Sequence, residues 1–309
     1  MELRRFLVIL SVVLVLILTI VVWFFPSNED FRADNPFWNG TRDISSSYLI
    51  SPLQSLSDLP PLPQGSTLIL VPYLDFTPTE LEELQSFVTQ GGTLVLADDY
   101  GYGNQILGYL GLKARFSGQT LLDPFSNYEN KWFPLISRIM PSIITSNTDS
   151  LVLNHATCLI DVESSDVLAL SSVFSFLDLN GNESQDEGEP TGPLSVISHH
   201  NLGGGKVILI SDPSIFINSM ETLGSNYTFI QNIAAITTSQ LLIDQSHLPI
   251  SNLQQSKNLL ASVRNSGNTP GGAVGLVIVA LTVTMIPVWY KKGRVVNTRK
   301  GDDIDYRAE

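Results

Sequence analysis

Apolar and polar positions fall into blocks along this chain, and the blocks follow different periods. Residues 6–25 form an uncharged apolar run of 20 residues, and 273–290 form a second of 18. At a rise of 1.5 Å per residue, ~20 residues match a hydrocarbon core of ~30 Å. Between them lie much shorter apolar runs at 67–71, 93–97 and 206–211, which predict strands buried on both faces. Between the first two, Leu81, Leu84, Phe87 and Val88 recur at helical spacing and predict a helix packed on the sheet. Its start is written in Thr77-Pro78-Thr79-Glu80, a capping box with proline at the first helical position. Phe76 and Leu81 stand where a hydrophobic staple would be, and Gly91-Gly92 ends the helix. A β-α-β unit of this length implies parallel neighbours and a right-handed crossover.

Around this unit the pattern predicts further elements. A strand or short helix falls at 48–56, a proline-rich connection at 58–64 and a helix at 104–112. Pro124, Pro134 and Pro141 break 113–147 into pieces with no clear period. Strands are expected at 150–160 and 166–177, and 195–200 and 206–211 should form an antiparallel hairpin across the glycine turn 201–205. Asp212 as N-cap and Pro213 at the first helical position predict a helix through Met220. A longer helix is expected at 226–242, and a polar helical stalk near 250–263. The expected organisation is a 1–5 terminus, a 6–25 span, a 26–47 spacer, a 48–245 domain, a 246–272 stalk, a 273–290 span and a 291–309 basic tail. The domain reads as α/β, three-layered, with a mostly parallel sheet flanked by two transmembrane helices.

Charge adds topology. The chain carries a net charge of −13, only 15% charged residues, and a mean hydropathy of +0.16. From 26 to 270 there are 25 Asp and Glu against 9 Lys and Arg, which argues against nucleic acid as a partner. Arg4 and Arg5 flank the first apolar run; Lys291, Lys292, Arg294, Arg299 and Lys300 follow the second. The positive-inside rule then places both termini in the cytoplasm, the chain twice across the plasma membrane, and the acidic middle outside. The first run is longer than a signal-peptide core and ends in Trp23-Phe24-Phe25-Pro26, which favours an uncleaved anchor over the competing reading, a cleaved signal peptide. Glycosylation triplets start at Asn39, Asn182 and Asn226, consistent with an external domain. Cys158 is the single cysteine and excludes a disulfide within the chain.

Candidate chemistry is confined to a few places. Across 178–189, Asp178, Asn180, Asn182, Ser184, Asp186 and Glu189 place oxygens at alternate positions of a twelve-residue loop, the spacing of a calcium site. Glu183 stands where such a loop has glycine, and the preceding residues read as strand, so the alternative is a solvated acidic loop. No other cofactor is expected. Asp98, Asp99, Asp212, Ser214 and Asn218 should lie at or just after the carboxyl ends of parallel strands, where open α/β sheets bind ligands. Aspartate after a strand is also the ordinary helix cap. His155 and Cys158, three apart on a strand, would face opposite sides. His199-His200 lacks an obvious third metal ligand, and Gly203-Gly204-Gly205 precedes a strand, which is wrong for a phosphate loop.

The run from Phe76-Thr77-Pro78 through Gly91-Gly92-Thr93-Leu94-Val95-Leu96-Ala97-Asp98, and that from Gly204-Gly205-Lys206-Val207 through Asp212-Pro213-Ser214-Ile215-Phe216-Ile217-Asn218, carry a family resemblance. Over roughly 47–242 the chain resembles a prokaryotic, archaeal-type membrane-anchored family, domain of unknown function 4350. The resemblance implies a class I glutamine amidotransferase-like, flavodoxin-like sheet and an association with ATPases of the MoxR kind. Active amidotransferases place a cysteine nucleophile after the strand that 93–97 resembles; here stand Ala97-Asp98-Asp99-Tyr100-Gly101. The expectation is therefore a binding or assembly protein with partners in the same membrane. The alternative is an envelope hydrolase using the strand-end carboxylates.

Overall fold

A computed structural model describes residues 3–267, which divide into Pro26–Ile250 and a second unit formed by the flanking segments. The expected span at 273–290 and the basic tail at 291–309 lie outside the described residues. Helices among the described residues are α1 (Leu3–Phe24), α2 (Arg42–Ser47), α3 (Pro78–Thr89), α4 (Asn104–Tyr109), α5 (Asn226–Ala235) and α6 (Asn252–Gly267). The strands are β1 (Ser51–Leu53), β2 (Thr67–Leu70), β3 (Thr93–Ala97), β4 (Arg115–Phe116), β5 (Thr120–Leu122), β6 (Leu135–Ile136) and β7 (Arg138–Ile139). They continue with β8 (Leu151–Val152), β9 (Leu159–Ile160), β10 (Val167–Leu170), β11 (Phe176–Asp178), β12 (Ser195–Leu202), β13 (Gly205–Ile210) and β14 (Leu241–Asp244).

The large sheet runs β1-β14-β2-β3-β13-β12-β10-β7, with β9 also on β12 and β4 on β9. From β1 to β13 the neighbours are parallel; from β13 outward they are antiparallel. The domain is thus mixed α/β with a mostly parallel centre. The central strands are apolar without alternation because both faces are covered. Leu68, Leu70, Leu94, Leu96, Val207, Leu209 and Leu242 share one buried cluster with the apolar faces of α3 and α4. Their alternates Ile69, Val95, Ala97, Ile208, Ile210 and Ile243 share the other with Phe229, Ile230 and Ile233 of α5. That alternation is the period of two of a pleated strand, and it makes three layers.

The opening unit forms as the sequence predicts. Thr77 Oγ1 accepts from the Glu80 N–H at 3.3 Å, and Glu80 Oε2 accepts from the Thr77 N–H at 2.8 Å. Leu81, Leu84, Phe87 and Val88 are the buried face of α3, and β2 and β3 pair in parallel. The hairpin of β12 and β13 also forms, closing at Leu202 opposite Gly205.

Other expectations are corrected. After Asp212 there is only a 3-10 turn, Pro213–Phe216, because Ile217 turns extended and the next N–H groups go elsewhere: Asn218 donates to Gly40 O and Ser219 to Trp38 O. The helix at 226 stops at Ala235, and Leu241–Asp244 is a strand inserted between β1 and β2, fully buried. Past the helix end the N–H groups of Thr238 and Ser239 both donate to Gly65 O, and Thr67 N–H donates to Gln240 O, which lays the chain alongside β2. The helix from Asn104 ends at Tyr109, with Gly111 at φ +73° just beyond it. The expected strands at 150–160 and 166–177 are each split in two, into β8 and β9, and β10 and β11.

The 26–47 stretch is part of the domain and not a spacer. Phe31 and Ile44 enter the core, and Arg32, paired with Glu29 at 2.9 Å, donates to Gln245 O and Pro249 O. His247 and Leu248 are buried as well, so the domain reaches Ile250 and not 245. In the second unit, Phe6–Phe24 of α1 is long and apolar enough to cross a membrane, a test that a signal sequence also passes. Arg264 of α6 lies 5.7 Å from the centroid of the Trp23 ring, a cation–π contact.

Candidate functional site

Because β14, β2, β3 and β13 are parallel neighbours, their carboxyl ends lie in a row, and the turns that follow share one edge of the sheet. Asp98 opens the turn after β3. It is 2% exposed and accepts from the backbone N–H groups of Tyr100 (2.9 Å), Gly101 (3.1 Å) and Gly103 (2.7 Å). Burial raises its pKa, and those three donors oppose the rise. Asp212, after β13, is fully buried and accepts from Ser214 N–H at 2.7 Å and Asn154 N–H at 2.6 Å. Burial pushes it up to about 7 against those donors. Ser214 belongs to that cap. Asn218 lies beyond it, donating to Asn35 O and Phe37 O and accepting from Asp43 N–H, which fastens the 26–47 segment. Four of the five strand-end candidates thus hold the backbone together.

Asp99 differs. It is half-buried, and its carboxylate takes no hydrogen bond among the described residues beyond its own backbone N–H. Burial first, then the Asp212 and Asp98 carboxylates, push it up to about 7. Asp99 in turn raises the phenols around it: Tyr100, for which it is the largest cause, and Tyr73, where burial acts first and Asp99 next. The rings of Tyr73, Tyr100 and Tyr102 form a triangle with centroid separations of 6.2, 6.4 and 5.8 Å. Tyr100 and Tyr102 are 61% and 51% exposed, so this aromatic face is open to solvent. The tyrosines were not among the sequence-predicted site residues. Their signal was the repeat Tyr100-Gly101-Tyr102-Gly103 directly after the two aspartates, and the position of Tyr73 just past β2.

Two other networks look like chemistry. His247 Nδ1 lies 3.0 Å from Asp244 Oδ2 and Nε2 lies 3.5 Å from Glu80 Oε1, with the ring stacked on Phe76 at 3.9 Å. Burial works against the charge on Asp244 and on Glu80, yet hydrogen bonds, from His247 to the first and chiefly from Thr77 to the second, hold both pKa values below the ordinary range. This network ties the β14 loop to the cap of α3. Secondly, Ser198 Oγ lies 3.0 Å from His200 Nε2, and His200 Nδ1 lies 3.2 Å from Asp166 Oδ2. The order is that of a hydrolytic triad, but Ser198 is fully buried in the regular strand β12, out of reach of an acyl group. Burial lowers the His200 pKa against the pull of Asp166. His155 and Cys158 sit in a loop, not on a strand. His155 has φ +53° and stacks on Trp132, while burial pushes the Cys158 thiol up to about 12.

The acidic loop 178–189 spends its oxygens internally. Asp178 is buried and accepts from the N–H groups of Gly181, Asn182 and Glu183. Asp186 Oδ2 accepts from the side-chain amides of Asn180 and Asn182, Asn182 Oδ1 from Ser184 N–H, and Glu189 from Leu179 and Asp186 N–H. Among the described residues no three His, Cys, Asp or Glu side chains gather as a metal site. The alternate-residue pattern thus closes the loop on its own N–H and amide donors. Millimolar calcium is expected to leave the melting temperature of the full chain unchanged; a rise that a chelator reverses would contradict this.

The chain belongs to the family described as Domain of unknown function (DUF4350), whose model matches residues 40–234. Among solved structures, the mmIFT52 N-terminal domain is similar at a TM-score of 0.50 and 14% identity, over 69% of this chain and 95% of that one. A putative ThuA-like protein from Bacteroides uniformis shares 11% identity over 68% of this chain and 87% of its own, at a TM-score of 0.36. A beta-galactosidase from Bacillus circulans sp. alkalophilus shares 14% over 56% of this chain and 22% of its own, at 0.34. At 14% identity the likeness to the first concerns fold alone, and the other two, at TM-scores under 0.5, add nothing to it. No curated protein matches the sequence significantly.

Proposed function

We propose that this chain is a two-span membrane protein whose Pro26–Ile250 domain stands outside the cell and binds, without chemistry, a cationic ligand or the cationic group of a partner protein. The observation that carries this reading is Asp99: a half-buried carboxylate with no hydrogen-bonded partner side chain, beside an open face of three tyrosines at the carboxyl edge of the sheet. The charges acting on it are acidic, so a cation relieves repulsion as well as gaining attraction. Each tyrosine face adds roughly 0.5–2 kcal/mol toward a cation. An amidotransferase-like scaffold whose turn after β3 carries Asp98-Asp99-Tyr100-Gly101, with no cysteine or serine, supports binding over catalysis. Partners in the same membrane, with a MoxR-type ATPase among them, belong to this proposal. So does a plasma-membrane location with both termini inside.

The test is a titration of the full chain in detergent with choline, followed by calorimetry and by the tyrosine ring resonances. Saturable binding at pH 8 is expected, with Kd on the order of 1 mM for ~4 kcal/mol. Asp99→Asn should weaken it at least ~10-fold, the loss of about one charge-assisted contact. With Asp99 pushed up to about 7, affinity should fall as the pH drops from 8 to 6. Binding unaffected by Asp99→Asn would remove the proposal. The near-neutral titration of Asp99 also favours a second reading, a hydrolase with Asp99 as general acid or base. Turnover of an envelope glycan or peptide, abolished in Asp99→Asn, would select it.

A further inference from the structure

We infer that Asn182 is the N-glycan acceptor of this domain, and that Asn39 and Asn226 are not, although all three begin an Asn-X-Ser/Thr triplet. Transfer to an asparagine requires its amide Nδ2 to enter an enzyme's site together with the hydroxyl two residues on. The triplet must therefore be exposed, and it must not be holding the fold together.

Asn226 fails on both counts. It is fully buried at the start of α5, accepts from Val152 N–H at 3.1 Å, and donates to Val152 O and Met220 O, both at 2.9 Å. Freeing its amide would orphan three buried backbone groups. Asn39 donates to Asn28 O and to Asp30, and accepts from the Asn35 side chain at 3.0 Å. Its Thr41 is fully buried, with the hydroxyl bonded to Phe31 O. Gly40 packs so closely on Asn35 that no Cβ would fit there. That triplet is a built part of the 26–47 wrap.

Asn182 is the opposite case, its triplet meeting a distant segment through the solvent-facing Glu183, whose carbonyl and carboxylate accept from Lys131 Nζ at 2.7 and 3.0 Å. Residues 180–187 are exposed throughout, and Asn182 and Ser184 both face solvent. Within the triplet the Ser184 N–H donates to Asn182 Oδ1 at 2.8 Å, an Asx turn that folds the triplet into a tight loop. The amide Nδ2 makes one exposed bond, to Asp186 Oδ2 at 2.6 Å, and releasing it leaves both groups to water. Asp178, Asp186 and Glu189 hold the loop from beneath through backbone N–H and side-chain amide groups, none of which a glycan would displace except that single bond. The co-reactant is a lipid-linked oligosaccharide. Nδ2 bonds to its anomeric carbon, the lipid phosphate leaves with the electron pair of the glycosidic bond, and the amide gives up one proton.

The inference rests on the external placement of the domain, so the experiment separates the two. The full chain, produced in the membranes of a cell that glycosylates Asn-X-Ser/Thr, is compared with Asn39→Gln, Asn182→Gln, Asn226→Gln and Glu163→Asn. The last creates a new triplet with Ser164 and Ser165 on another exposed loop. One endoglycosidase-sensitive mobility step is expected, lost in Asn182→Gln alone, with a second step in Glu163→Asn. A step that survives Asn182→Gln overturns the inference. So does a glycan on the Glu163→Asn loop with none on Asn182, and that result leaves the external placement standing. No glycan on any variant overturns both.

Discussion

Asp98→Ala is expected to lower the stability of the full chain by about 2–4 kcal/mol, since the buried N–H of Gly103 and the part-buried N–H groups of Tyr100 and Gly101 would lose their acceptor at once. Each such orphan costs about 1–3 kcal/mol, and the three share one turn, so the costs do not add fully. Gly101, at φ +92°, holds a backbone shape that the Asp98 bonds make worthwhile, and without them the turn should open. Asp98→Asn keeps one acceptor oxygen and should recover about half of the loss. Urea unfolding of the full chain in mild detergent reads this directly. An Asp98→Ala midpoint equal to that of the parent chain would show that the turn is not held by this side chain.

Asp99→Asn, one residue along, should act with the opposite sign. At pH 8 it is expected to stabilise the chain by about 2 kcal/mol, because each unit of pKa displacement is worth about 1.4 kcal/mol and part of the displacement belongs to the coupled Asp212. The sign follows from linkage. The folded pKa of Asp99 is raised to about 7, above that of an ordinary aspartate. Between about pH 4 and 7 the folded chain therefore binds more protons than the unfolded one, and stability falls as the pH rises through that window. Above it the full penalty of a buried, repelled carboxylate is present. Asparagine carries no such penalty, so its advantage should be largest at pH 8 and vanish near pH 4. Melting temperatures of both chains across pH 4–8 check this. Parallel curves would mean that Asp99 ionises like an ordinary surface aspartate. A group kept at a cost in the free protein is also what a binding site contains, which joins this measurement to the choline titration.

Much of the architecture was legible because its causes are local. The Thr77–Glu80 box, the Gly91-Gly92 stop and the four apolar positions of α3 each act within a turn or two of chain, so spacing alone specifies them. The β12–β13 hairpin is local in the same sense, its register set by the turn between Leu202 and Gly205. The 26–47 segment was not legible. Polar, aromatic-dotted sequence resembles a linker until Arg32 finds the carbonyls of Gln245 and Pro249, more than 200 residues away. The 178–189 pattern is ambiguous in sequence for a related reason: alternate oxygens around a loop accept N–H groups as readily as they ligate a cation.

For the site, the sequence by itself determined that aspartates follow β3 and β13 and that no cysteine or serine stands in the turn after β3. Tertiary structure decided which of them is free to act. Asp98 and Asp212 found N–H donors, Ser214 and Asn218 became fastenings, and Asp99 was left beside Tyr73 and Tyr100, whose rings pack with Tyr102. Tyr73 follows β2 and Asp212 follows β13, strands that flank β3 only through sheet order. Sheet order is a long-range choice, made by which apolar faces pack together, and no period within a single segment encodes it.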